Sequence, residues 1–138
     1  MIRRRGEVMA CKLKGKAVSV ALGPMMNLGR VAAGGRNWEG FGADPYRVGE
    51  ASYETIIDQS FFRSAKHYIN NEQEHYHATS SSNVGDRTQH ELYAHPFLRS
   101  VMAGAASVMC SHSESLQYLC FLHGGMVSVG MYLYHHAE

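Results

Sequence analysis

The sequence predicts an α/β fold with parallel strands, and three observations carry that expectation. Short β-branched runs recur along the 138 residues. Helix-start signals, Asp-Pro at 44–45 and Asp-Arg-Thr-Gln at 86–89, fall between those runs. Strand, helix, strand, helix, strand is the sequence form of right-handed βαβ units. The length allows at most one ordinary domain. With 45% hydrophobic and 18% charged residues, a packed core is expected and wholesale disorder is not.

Residues 1–15 form a basic N-terminal segment, in which "MIRRR" and the start of "KLKGK" read as a solvated end. "KAVSVAL" (16–22) is short and β-branched and stops at Gly23-Pro24, which suits a buried strand. Asp44 supplies an N-cap and Pro45 the first helical position. Tyr46, Gly49, Tyr53 and Ile56/Ile57 follow at helical spacing, giving a helix to about Ser60. "FFRSAKHYI" (61–69) is a second strand, and a polar loop occupies 70–85. The capping-box pattern at Asp86 and Gln89 opens a helix with Leu92, Tyr93, Pro96, Phe97 and Val101 on one side. Pro96 within it predicts a kink or a late start. "AASVMCS" (105–111) is a third strand and "GGMVSVGMYLY" (124–134) a fourth.

In parallel sheets of this kind the ligand sits at the carboxyl ends of the strands. Arg36 follows the first strand, Lys66 and His67 end the second, and Met109 to His112 end the third. Three successive strand ends with polar or adaptable side chains predict one convergent site.

Composition and motifs exclude several chemistries. A net charge of +1 steers the chain to neither nucleic acid nor an anionic membrane. No apolar run approaches the about 18 residues that cross a bilayer. Arg3–Arg5 have no apolar stretch behind them, so no secretory signal is expected in these residues. "GGRNWEGFGADPY" (34–46) is glycine-rich but contains neither phosphate-binding glycine pattern. Nine histidines form no HExxH and no recognised ligand set, so no metal or other cofactor is expected. Cys11, Cys110 and Cys120 fit no CxxC pattern; Cys110 and Cys120 could close a short loop, or all three could be free thiols.

A sugar site is the better match. Sugars present hydroxyl edges and apolar faces, so their sites mix charged hydrogen-bond groups with aromatic walls. Arg36, Lys66 and His67 can bond vicinal hydroxyls. Trp38 is equally suited to stacking on a ring or packing in the core. Glu39 is expected to orient Arg36 or Lys66 from behind.

"GPMMNLGRVAAGGRNWEGFGADPYRVG", "SAKHYINNEQEH", "GDRTQHELYAHPF" and "AGAASVMCS" together resemble the fungal β-glucosidases of glycoside hydrolase family 3. The resemblance runs from about Lys16 to Ser111. It implies an incomplete (β/α)8 barrel and an enzyme class that cleaves terminal β-linked glucose with retention, on substrates such as cellobiose. By resemblance, Arg36, Lys66 and His67 would bond glucose in the deepest subsite and Met109 would line it. His112 stands where the family usually has tyrosine. The spacing of Cys110 and Cys120 is near that of a loop disulfide in fungal members. The resemblance also implies a secreted protein of cellulose and polysaccharide degradation.

Retaining hydrolysis needs two carboxyl groups about 5–5.5 Å apart. In the family the nucleophile is the aspartate of an SDW motif, where this chain has Gly130, Met131 and Tyr132; no aspartate follows Asp86. The acid/base glutamate belongs to a later domain, and a sugar-binding aspartate to earlier strands. The expectation is a catalytic-barrel fragment that is inactive alone. The alternative is a non-catalytic sugar-binding remnant or a truncated gene product, since likeness fades after Ser111.

Overall fold

The computed structural model describes residues 1–57, 62–76, 79–111 and 126–128. In chain order the elements are α1 (Ile2–Gly15), β1 (Val20–Ala21), a 3-10 turn (Asn37–Glu39), α2 (Pro45–Ile56) and β2 (Phe62–Tyr68). A short turn α3 (Asp86–Thr88), a wide π turn (Gln89–Tyr93), α4 (His95–Met102), β3 (Ser107–Cys110) and β4 (Met126–Ser128) follow.

The four strands form one sheet in the order β1-β2-β3-β4. β1 and β2 run parallel, with Val20 opposite Phe62. β2 and β3 also run parallel, with Ser64 opposite Ser107 and Lys66 opposite Met109. The sequence therefore delivers a parallel three-stranded sheet with helices between its strands, part of a barrel rather than a closed one. β4 pairs with β3 in the antiparallel sense, Met109 opposite Met126. A short apolar run carries no information about direction, which depends on how the connection returns.

α2 starts as the sequence predicts. Arg47 N donates to Asp44 Oδ1 at 2.6 Å, and Pro45 takes the first position, where its missing N–H is not needed. The second helical stretch differs from expectation. Gly85, not Asp86, precedes its first turn, and no side chain caps it. Pro96 falls at the start of α4, and the π turn ahead of it absorbs the break.

The basic N-terminal segment is a helix, which the charge pattern concealed. Ile2, Gly6, Met9 and Leu13 form a stripe at spacings of four, three and four. Gly6 is buried, and Arg3 Nε reaches Glu54 Oε2 of α2 at 2.9 Å.

The core cluster is Met26, Ala65, Ile69 and Phe97, with Phe41, Tyr93 and Val108 packed against it. Tyr68 meets Phe97 edge-on, ring centroids 5.0 Å apart. Between α2 and α4 the seam is polar: the Ser52 and Ser100 hydroxyls share a hydrogen bond, and Arg99 Nη2 donates to Glu50 at 3.0 Å. Each of these hydroxyls has a partner, which is the condition for burying it without a large penalty.

Removing the two candidate caps separates them. Asp44→Ala should lower unfolding stability by about 1 kcal/mol in urea titrations, the usual worth of an N-cap. Asp86→Ala should change it by less than about 0.5 kcal/mol, as expected for an exposed residue outside a cap.

Candidate functional site at the strand ends

Beyond β1 the chain continues beside the end of β2. Lys66 N donates to Pro24 O at 3.1 Å, and Met26 N donates to Lys66 O at 2.6 Å. Met109 is the register partner of Lys66 on the other side. The three strand ends thus meet at Lys66, and Met109 is half-buried there.

The Lys66 ammonium lies 2.7 Å from Glu39 Oε2. Arg36 Nε donates to Glu39 Oε1 at 2.6 Å, and Arg36 Nη2 donates to Oε2 at 3.1 Å. One carboxylate therefore holds a guanidinium and an ammonium. The 3-10 turn makes this possible, because Glu39 N donates to Arg36 O at 3.0 Å and folds the two side chains onto one side. Arg36 itself has φ +46°, a left-handed conformation that stores local strain. The hydrogen bond from Arg36 holds the Glu39 carboxyl down at about 2, assisted by Lys66 and opposed by partial burial. The same bond raises the Arg36 guanidinium.

The glycines before Arg36 serve packing. A Cβ on Gly34 would lie 2.8 Å from Glu72 O, and Gly35 has φ +71° with Glu74 Cγ 3.0 Å from a would-be Cβ. Glu74 N donates to Gly34 O at 3.1 Å, so the loop after β2 rests on the glycine pair.

Trp38 is 85% exposed, which rules out core packing. It stands with Lys66 and Glu39 on a groove of about 470 Å³ whose far wall is α1, through Ile2, Met9 and Leu13. Arg36 reaches that groove only through Glu39. His67 is buried and bonded to Asn27: Nδ1 lies 3.0 Å from Asn27 Oδ1, and the two backbone groups of His67 pair with the same amide. The sequence reading missed Asn27, although a lone amide inside "GPMMNLGR" signals a buried polar contact.

Glu72 was also missed. It accepts from Leu28 N at 3.3 Å through Oε1, while Oε2 is buried without a partner among the described residues. Burial pushes its carboxyl up to about 7. No cluster of three or more His, Cys, Asp or Glu side chains among the described residues could hold a metal. His112 and Cys120, and with Cys120 the expected pairing to Cys110, lie outside the described residues, as do Gly130 to Tyr132. Cys11 is an exposed free thiol.

Parallel strands alternating with helices define a portion of a (β/α)8-type domain, a fold whose ligands sit at the carboxyl ends of the strands. The family model "Glycosyl hydrolase family 3 N terminal domain" matches residues 1–118, and the chain belongs to that family. It is similar to "Probable beta-glucosidase L" of Aspergillus fumigatus, 49% identical over 118 residues that make up 83% of this chain and 16% of the relative. "Beta-glucosidase cel3A" of Pyricularia oryzae is 50% identical over 118 residues, again 83% of this chain and 16% of the relative. Among solved structures, the beta-D-glucoside glucohydrolase of Trichoderma reesei aligns with TM-score 0.79 and 49% identity, over 81% of this chain and 16% of that one. The beta-glucosidase DesR of Streptomyces venezuelae, solved with D-glucose, aligns with TM-score 0.78 and 34% identity, over 81% of this chain and 15% of that one. The chain therefore spans about a sixth of the length of these curated relatives.

Two carboxyls predict opposite pH behaviour. Glu39 titrates at about 2 when folded against an ordinary 4.5, so its stabilisation is present above about 4.5 and lost as pH falls toward 2. Melting temperatures of wild type and Glu39→Gln should differ most above 4.5 and converge toward 2. Glu72 titrates at about 7 when folded, so the unfolded chain releases that proton first and stability falls between about 4.5 and 7. Glu72→Gln should flatten that slope and melt higher than wild type above pH 7.

Proposed function

We propose that this chain carries the glucose-binding strand ends of a β-glucosidase-type site, with Arg36, Lys66 and His67 as hydroxyl-bonding groups and Met109 beside them. The observation that carries the reading is the Glu39 carboxylate, which holds Arg36 and Lys66 together where the strands end. Two cations fixed by one anion are pre-organised donors, so little side-chain freedom is lost when they meet a sugar. Trp38, exposed on the neighbouring groove wall, supplies a flat apolar face of the kind sugar rings stack on.

The whole enzymes of the family would act on terminal β-glucosyl residues with retention, and cellobiose-like substrates, secretion and a part in cellulose breakdown belong to the same proposal. His112 would stand beside the sugar, and Cys110 would pair with Cys120. The isolated chain turns over negligibly. A retaining mechanism needs a nucleophilic carboxylate and an acid/base, and the residues here include no aspartate after Asp86.

Isothermal calorimetry with glucose and gluconolactone, beside a chromogenic β-glucoside assay on folded chain, tests this. Both sugars should bind, no chromophore should be released above buffer, and Arg36→Ala should weaken binding by at least about tenfold, as for loss of a charged hydrogen bond. Retaining hydrolysis by the chain alone, or no heat with either sugar, overturns the proposal.

A further inference from the structure

Arg63 is a buried cation that the sugar-binding reading does not use. It stands near the start of β2, opposite Ala21 of β1, and is 3% exposed. Its Nε is buried with no hydrogen-bond partner among the described residues. Nη2 makes one long contact, 3.4 Å to the carbonyl of Gly6 in α1. No carboxylate pairs with it among the described residues. Burial pulls the guanidinium below its ordinary range. A buried charge without a counter-charge is costly to keep.

Arg36 shows how such a group is satisfied, giving its Nε and Nη2 to the two oxygens of Glu39. That edge is the fork a carboxylate fits with two parallel bonds. At Arg63 the same edge carries one unpaired N–H and one weak carbonyl contact. Arg63 lines the groove of about 470 Å³ that runs along α1.

The remaining lining says what else a ligand there must bring. Ile2, Met9 and Leu13 of α1 line the groove together with Val20, Leu22 and Phe41, and aliphatic groups outnumber aromatic ones. Such a wall gains by covering hydrocarbon, and the volume suits a single small molecule. Three cations, Arg5, Arg63 and Lys66, line it against one acid, Glu39. That acid is already bonded to Arg36 and Lys66.

We propose that this groove binds a medium-chain aliphatic carboxylate, with the carboxylate on the Nε–Nη2 edge of Arg63 and the chain along the apolar wall. The ligand displaces the Gly6 carbonyl from Nη2 and gives Nε its acceptor, so an uncompensated charge is paired as the groove fills. An alcohol of the same length covers the wall but leaves Arg63 unpaired. An inorganic anion pairs Arg63 but leaves the wall in water. The proposal is independent of the sugar-binding reading.

Calorimetry of the full chain with decanoate, decanol and inorganic phosphate tests it, beside NMR of chain labelled with 15N-arginine and followed at the Nε–H groups. The Arg63 and Arg36 signals are assigned by their loss in Arg63→Lys and Arg36→Lys. Decanoate should bind at least about tenfold tighter than decanol or phosphate, as for a charged hydrogen bond gained. It should shift the Arg63 signal and leave that of Arg36, already held by Glu39, in place. Arg63→Met should bind decanoate no better than decanol.

Equal binding of decanoate and decanol by wild type, an Arg63 signal that decanoate leaves unmoved, or undiminished decanoate binding in Arg63→Met overturns the proposal. Phosphate binding as tightly as decanoate overturns it too, because the apolar wall would then contribute nothing. Should Arg63→Met fail to fold, the wild-type comparison and the Arg63 signal decide alone.

Discussion

Lys66 is bonded through every polar group it has. Its N–H and C=O tie the end of β2 to the segment after β1, and its ammonium ties both to the turn that carries Glu39. The two kinds of bond do different work. The backbone bonds are part of a sheet ladder whose alternative is an unpaired buried amide, which is costly. The ion pair, with side chains 12% and 15% exposed, gains Coulomb energy and loses much of it to desolvation. The ladder fixes where Lys66 stands, and the carboxylate fixes where its charge points. The rest of the strand-end face is arranged around that point, with Arg36 on the same carboxylate and Met109 in register across β3.

Much of this was legible in the amino-acid order. Asp44-Pro45 announced α2, because an oxygen acceptor followed by a residue without an N–H has few other uses. The β-branched and aromatic runs placed the strands, although the first is only Val20–Ala21 of the expected 16–22, with Val20 exposed rather than buried, and glycine-rich or polar stretches after them placed the strand ends. Glu39 was read as an orienting anion, and it touches both cations. The illegible parts have physical causes. α1 was hidden because runs of arginine and lysine interrupt its sequence, while its groove-facing apolar stripe holds only Ile2, Gly6, Met9 and Leu13, one of them glycine. Gly34 and Gly35 match no phosphate-binding pattern in the sequence, and what they yield is room for the backbone of Glu72 and the side chain of Glu74. Asn27 and Glu72 act across long sequence separations, and no local pattern reports such contacts.

The family assignment gives the strand-end cluster its meaning, and the cluster gives the assignment something to act on. Shared ancestry would explain a partial barrel but not why a strained left-handed Arg36 is kept beside Glu39. A pre-organised cation pair explains it. Local strain persists where surrounding contacts over-determine it, and here two bonds from one guanidinium to one carboxylate do so. Trp38, left in solvent on the next groove wall, fits a surface that has a use for an exposed indole.

The claim beneath all of this is that Glu39 couples Arg36 to Lys66 energetically as well as geometrically. A double-mutant cycle in urea, with Arg36→Met and Lys66→Met combined singly and together in wild-type and Glu39→Gln backgrounds, measures that coupling directly. The account predicts coupling of about 0.5–1 kcal/mol between the two cations that disappears when residue 39 is glutamine. Additive effects within about 0.3 kcal/mol in the wild-type background would contradict it.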